Sequence, residues 1–396
     1  MAIVEDTEAI EAFREEVRAW LEENYPSELR TSGEPSEEAI LLWIERLAGK
    51  GWTVPTWPTE YGGAGLSKAK ARALNEEMNR KKCRLDHLYR GGGGMTMLGP
   101  TLLVYGSEEQ KLEHLPRIAR CEARWCQGYS EPGAGSDLAG LQMRAEDNGD
   151  YFLVNGSKIW TSGADTANWI FCLVRTDPNV KKHEGIGFLL IDMDDPGVSV
   201  EPIVLISGAS QFCETRLEDV RVPKKNLVGE IDGGWTIAKD LLTFERTEIA
   251  ANQSASEVPA DTTDPIIVAA KHYIGETDGK LADPLIRDAV TQQLMEEQAM
   301  SIAMRHFDIE LKVGAAPGAK SAMFKYLGSE VGKSRLEMHL RFGGIQYLGW
   351  EGEEFERAEL ELTRTWLRSR GYSIEGGTSE IQLNVVSKRV LGLPTT

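Results

Sequence analysis

The sequence predicts a mostly α-helical chain with a β insert: an N-terminal α-helical domain (1–124), a middle antiparallel β-barrel or sandwich (125–232) and a C-terminal four-helix bundle (233–396). Three observations carry this. Apolar residues recur at helical spacing through the first ~120 positions. From Trp125 the pattern breaks into short β-rich runs separated by turn residues. At Gly234-Trp235 long helical patterns return and persist.

Residues 6–25 place Ile10, Phe13, Val17, Trp20 and Leu21 on one helical face, and Pro26 stops the helix. A second helix follows Ser36 with Ile40, Leu41, Ile44 and Leu47. The loop Trp57 to Gly63 is turn chemistry, and helix resumes over Ser67–Arg84. After the Gly91–Gly94 run a helix spans about Met95–Tyr105, and Ser107-x-x-Gln110 is a capping box opening another that reaches Arg120. Strands are expected at Tyr151–Val154, Trp169–Val174, Gly187–Ile191, Val198–Val204 and Thr215–Val222, with Asn155-Gly156 as a hairpin turn. In the last third, Trp235–Ile249, Pro284–Val313, Pro317–Leu340 and Phe355–Arg370 read as helices, with Asn252–Pro265 as a polar loop. The final helix begins at Ser379, where Ser379-x-x-Gln382 is a capping box behind Gly376-Gly377. Free N–H groups at such a start can seat an anion, and an ordinary loop-to-helix cap is the plainer reading.

Composition narrows the function classes. The 396 residues are 41% hydrophobic and 27% charged, with no apolar run long enough to span a bilayer. A formal charge of −18 speaks against nucleic acid or an anionic membrane as the main partner, though not against an anionic small ligand. Five scattered cysteines without CxxC spacing indicate a reducing compartment, with no zinc site and no disulfide framework. The stretch Met1 to Arg14 is acidic and lacks an apolar signal core, and a cytoplasmic enzyme is the expectation.

Two stretches carry chemistry. Gly128-Tyr-Ser-Glu-Pro-Gly-Ala-Gly-Ser-Asp137 is a tight loop rich in hydroxyls and backbone donors; Leu138 stands where a dinucleotide fingerprint needs glycine, and no βαβ unit surrounds it. Lys158-Ile-Trp160-Thr-Ser162-Gly163 sets an indole before two hydroxyls at a strand end. That pattern suits either a core tryptophan or one lying beside a flat aromatic cofactor.

Together these stretches resemble the acyl-CoA dehydrogenase family, essentially end to end. The matching motifs are Trp57-Pro-x-Glu-Tyr-Gly-Gly63, Gly99-Pro-Thr101, Gly106-Ser-Glu-Glu-Gln110, Ser130 to Asp137, Lys158-x-Trp160, Glu218-Asp-Val-x-Val-Pro223, Gly234-Trp235 and Gly376 to Gln382. The resemblance implies the family fold, FAD as cofactor and α,β-dehydrogenation of an acyl-CoA thioester, in which a carboxylate removes the α-proton and the β-hydride passes to flavin N5. It implies an electron-transferring flavoprotein as acceptor. It also implies a homo-oligomer (dimer or tetramer) or an α2β2 heterotetramer like those acting on steroid or dicarboxylic acyl-CoAs. By this resemblance Tyr129 and Ser130 face the flavin pyrimidine, Ser136 lies by phosphate or acyl-CoA, Trp160 packs beside the isoalloxazine, and Ser162 hydrogen-bonds near N5. Arg341, Gly343 and Gly344, with Thr378 and Glu380, fall where a neighbouring subunit helps to bind the ADP part.

Departures from the family pattern move the catalytic carboxylate. Where many members carry Glu in a Tyr-x-x-x-Glu-Gly-Thr motif, this chain has Gly376. Glu245, in Leu241-Leu-Thr-Phe-Glu-Arg246, matches the bundle-helix base of isovaleryl- and long-chain-type members. The resemblance keeps Gly376 as a backbone donor to the thioester carbonyl and puts Arg246, Glu375 and Gly377 beside substrate. The usual Arg-x-x-Phe-Gly motif has no counterpart between Asn252 and Arg287, which leaves open whether this chain completes its own FAD site. The competing readings are a flavin oxidase or monooxygenase on the same scaffold and a non-catalytic partner subunit of a heteromeric enzyme.

Overall fold

A seven-stranded sheet lies at the centre of the first part of the chain, flanked by helices on one face. The structure, a computed structural model, describes residues 7–30, 35–83, 92–242, 263–312 and 318–394. These fall into two compact units, 1–202 with 212–244 and 203–211 with 245–396.

In the first unit, α1 (Thr7–Asn24), α2 (Glu37–Gly49) and α3 (Lys68–Arg80) bury the stripe that the sequence predicts. Val17, Leu21, Trp43, Leu47 and Leu74 form its core. Glu77 sits in this helical layer at 2% exposure. It accepts from Arg18 Nη2 at 2.8 Å, Arg80 Nε at 2.7 Å and Arg14 Nη1 at 3.3 Å. The Arg18 hydrogen bond leads in pulling its pKa down from 4.5 to about 2. A depressed carboxylate contributes stability that is complete above about pH 4.5 and is lost as pH falls toward 2. Glu77→Gln should therefore flatten the decline in melting temperature between pH 5 and pH 3; an unchanged slope would mean that other carboxylates set it.

After the π-turn Gly94–Leu98 come α4 (Gly99–Tyr105) and α5 (Glu108–Ala119). The capping box at Ser107 forms as expected: its hydroxyl accepts from Gln110 N, and the Gln110 side chain accepts from Ser107 N.

The sheet contains β1 (Trp125–Gly128), β2 (Arg144–Asp147), β3 (Tyr151–Ser162), β4 (Trp169–Arg175), β5 (Ile186–Asp192), β6 (Val198–Ile203) and β7 (Phe212–Pro223), in the order β1-β4-β2-β3-β7-β6 with β5 also on β4. It is mixed rather than antiparallel throughout, since β1 and β2 each pair parallel with β4. The unbroken apolar run of β4 is buried on both faces. Phe171 and Leu173 join the core shared with α4, α5 and α6 (234–242), while Ile170, Cys172 and Val174 pack toward β3, β5 and β7.

The expected hairpin at Asn155-Gly156 is a correction. The turn is at Asn148-Gly149, where Asn148 N donates to Tyr151 O at 2.9 Å and Gly149 has φ 83°. Asn155 instead lies within β3, bonded to Asp219 of β7, and the register slips at Gly156. A Cβ on Gly156 would come within 2.8 Å of Met143 Cα, so close strand approach explains that glycine.

The second unit is helical: α7 (Pro265–Ile274), α8 (Pro284–Lys312), α9 (Ser321–Gly343), α10 (Arg357–Ser369) and α11 (Ser379–Val385). The long helix α9 packs against the other four. The α7 helix was not expected; Ile266 and Ala270 bury against Val290, Met338 and Phe342. Of the expected helix Trp235–Ile249, residues 243–249 lie outside the described residues, as does most of the polar stretch Asn252–Pro265.

Candidate functional site

In the first unit the site is built where β1 and β3 end. Tyr129 follows β1, is 6% exposed and meets the Phe171 ring edge-on at 6.2 Å. Ser130 O accepts from Ile159 N at 2.9 Å, which stitches the hydroxyl loop to β3. The loop closes on itself as Glu131 and Ala134 exchange N–H···O bonds of 3.0 Å, so two of its expected backbone donors are already used. Beyond them Ser136 is exposed, and Asp137 pairs with Lys182 at 2.6 Å.

Trp160 is the most unusual residue here. Its φ is +62°, a left-handed conformation that costs a bulky residue about 1–3 kcal/mol. The cause is a register shift between Lys158 and Thr161 against β7, which turns the indole outward. The residue is 52% exposed, and Phe212 meets its ring edge-on with ring centres 6.1 Å apart. A core tryptophan is therefore excluded. Ser162, two residues on, is exposed and lines a cleft of about 240 Å³ with Gly163, Arg124 and Trp125. Beneath the bulge the Thr161 hydroxyl is buried without a hydrogen-bond partner. An exposed indole face flanked by hydroxyls, held in a strained backbone, fits a flat heteroaromatic group such as an isoalloxazine.

In the second unit the Gly376-Gly377 turn takes φ +62° and +91°, as its glycines allow. The helix behind it begins at Ser379 as expected, but its N-cap is Thr378, whose hydroxyl accepts from Ile381 N at 3.2 Å. Gln382 is not the reciprocal partner of a capping box. Its Nε2 donates back to Gly376 O at 2.9 Å and fixes the turn. Glu375 is held by Arg368 at 2.6 Å, pointing its carboxylate into an ion pair. Lys325 and Ser329 of α9 donate to Tyr372 O, each at 2.9 Å, and Lys333 donates to Ser373 Oγ at 2.5 Å. A Cβ on Gly376 would meet only Lys325 Cε, at 3.8 Å.

Glu380 is exposed, and its own backbone N–H followed by the Thr378 hydroxyl hold its carboxyl below the usual range. Arg341 is exposed near the end of α9, and Gly344 beyond it has φ +52°. Gly343 is pressed on Tyr347, whose ring a Cβ would meet at 2.3 Å. Glu245 and Arg246 lie outside the described residues. Sequence reasoning gave no role to Lys158, Glu131 or Arg175. The available signal was a lysine on the inward parity of a strand, in phase with Phe152 and Val154 apart from the bulge.

Three family models match the chain: the N-terminal domain of acyl-CoA dehydrogenases over residues 7–122, the middle domain over 126–220 and the C-terminal domain over 232–391. The chain is similar to the acyl-CoA dehydrogenase IpdE1 of Mycolicibacterium smegmatis, 36% identical over 410 residues that cover 97% of this chain and 98% of that protein. IpdE1 of Mycobacterium tuberculosis is likewise 36% identical, over 398 residues and the same shares. Among solved structures, the Tcur3481–Tcur3483 steroid ACAD superposes with TM-score 0.75 at 29% identity, covering 99% of each chain. The ChsE4–ChsE5 complex from M. tuberculosis gives TM-score 0.71 at 28% identity over 100% of each. Among the described residues no helix is long and apolar enough to cross a membrane.

Proposed function

Since this chain belongs to the acyl-CoA dehydrogenase family and is an oxidoreductase of that kind, we propose that it is FAD-dependent, desaturates an acyl-CoA thioester and uses Glu245 as the base. The observation that carries the cofactor reading is Trp160, an exposed indole kept in a costly conformation beside Ser162. Trp160, Ser162, Tyr129 and Ser130 would hold the flavin ring, with Ser136 by the phosphates or the acyl-CoA. Arg341, Gly343, Gly344, Thr378 and Glu380 would serve the ADP part of a neighbouring subunit's cofactor. FAD supplies a hydride acceptor when bound. The residues then divide the remaining work. Glu245 would take the α-proton as general base. The Gly376 N–H polarises the thioester carbonyl, because enolate charge grows on that oxygen as the proton leaves. Arg246, Glu375 and Gly377 border the substrate.

The open space at Gly376 suits a bulky acyl group, and the steroid ACAD among similar structures supports a steroid-derived one. Likeness to a two-component complex supports a heterotetramer with a related subunit, with a homo-oligomer as the other outcome. Reduced enzyme would pass its electrons to an electron-transferring flavoprotein in the cytoplasm.

Titrating apo-protein with FAD should give saturable uptake that Trp160→Ala weakens; protein that takes up no FAD would overturn the reading. Glu375→Gln should leave turnover within about threefold of wild type, since only a partly exposed ion pair is lost. A loss of about a hundredfold or more would place the base at Glu375 instead.

A further inference from the structure

We propose that the buried Lys158–Glu131 pair is a positioning device that sets the loop 129–143 and the Trp160 bulge in one arrangement before any ligand arrives. It rests on the flavin reading above and adds two residues that touch neither cofactor nor substrate. Lys158 is 0% exposed and Glu131 8%. Lys158 Nζ donates to Glu131 Oε1 at 2.8 Å and to Tyr129 O at 3.2 Å. The same carboxylate accepts from Gln142 N at 2.6 Å and Met143 N at 2.9 Å. One side chain thus holds both ends of the loop, and the lysine fastens it to β3 two residues before Trp160.

A second buried cation completes the frame. Arg175 Nη2 donates to Ala139 O at 2.6 Å, and its Nη1 to Lys182 O at 2.8 Å and Gly185 O at 3.1 Å. The tip of the loop is packed unevenly: Ala134 is buried in the core, but a Cβ on Gly133 or Gly135 would meet nothing within 4 Å, and Ser136 is exposed. Stability alone does not call for such a pair, because desolvating two charges offsets their attraction and apolar replacements are often neutral. What an apolar replacement cannot do is accept two amide hydrogens and donate to a carbonyl at fixed points. Order in the loop is what the pair supplies.

The test compares wild type with Glu131→Gln and with the apolar double variant Lys158→Met/Glu131→Leu, which removes both charges of the pair and leaves the Arg175 bonds to backbone carbonyls in place. Melting temperature establishes that each is folded. Amide exchange across 130–143 should accelerate about tenfold in both, without flavin present. The FAD dissociation constant should rise about tenfold or more, and turnover at saturating acyl-CoA should fall while KM holds. A folded double variant with wild-type exchange and wild-type FAD affinity overturns the proposal, and if that variant does not fold, Glu131→Gln decides by the same readouts. Wild type that binds no FAD would instead overturn the flavin reading, with the exchange measurement still deciding whether the pair orders the loop.

Discussion

Glu245→Gln is expected to slow flavin reduction by acyl-CoA about 10²–10⁴-fold while FAD stays bound. The amide keeps the shape of the carboxylate and cannot take the α-proton. Glu375, the acidic residue next to position 376, is engaged by Arg368 at 2.6 Å, and position 376 carries no side chain at all. A base must reach the α-proton with a free lone pair, so a carboxylate held in an ion pair is poorly placed for the task. Anaerobic stopped-flow mixing separates the steps: flavin spectrum before mixing reports binding, and the decay of its absorbance reports chemistry. A Glu245→Gln enzyme that reduces at near wild-type rate would remove the assignment.

Phe171→Ala should destabilise the first unit by about 3–5 kcal/mol, the usual cost of emptying a large aromatic site in a packed core. Phe171 is fully buried, stacks on Phe188 with ring centres 6.0 Å apart, and supports the Tyr129 ring edge-on. At about 2–4 °C per kcal/mol for a domain of this size, the melting transition should fall by roughly 6–20 °C. The same cavity would loosen the seat of Tyr129, so FAD affinity should drop along with stability. Calorimetry against FAD titration checks both; an unchanged transition would mean that the β4 layer closes over the gap.

Much of this fold is legible in the sequence because burial is one-sided where the pattern is clean. The stripe Phe13, Val17, Leu21 reports a helix with one wet face, and the β4 run reports a strand with none. What escaped depended on choices that local pattern leaves equal. Two Asn-Gly pairs are present, and only the cross-strand partner Asp219 and the close Met143 backbone send Asn155-Gly156 into a strand. Thr378 and Ser379 are adjacent hydroxyls that can both cap a helix, and the chain uses the first. Parallel pairing of β1 with β4 joins segments about 40 residues apart, which no turn signal announces. At the site, the motif residues Tyr129, Ser130, Trp160 and Ser162 stand out from sequence, but the charges beneath them do not. Lys158 belongs to a recognisable motif, but only the strand parity places its side chain inward.

The opening into the chemistry is most directly tested by anaerobic titration of the FAD-loaded protein with short, long, branched, aromatic and steroid acyl-CoAs. At least one thioester should bleach the flavin, a bulky steroid-derived chain most strongly, and reoxidation by oxygen should be slow. A flavin that stays oxidised with every thioester in the panel would contradict the dehydrogenase reading.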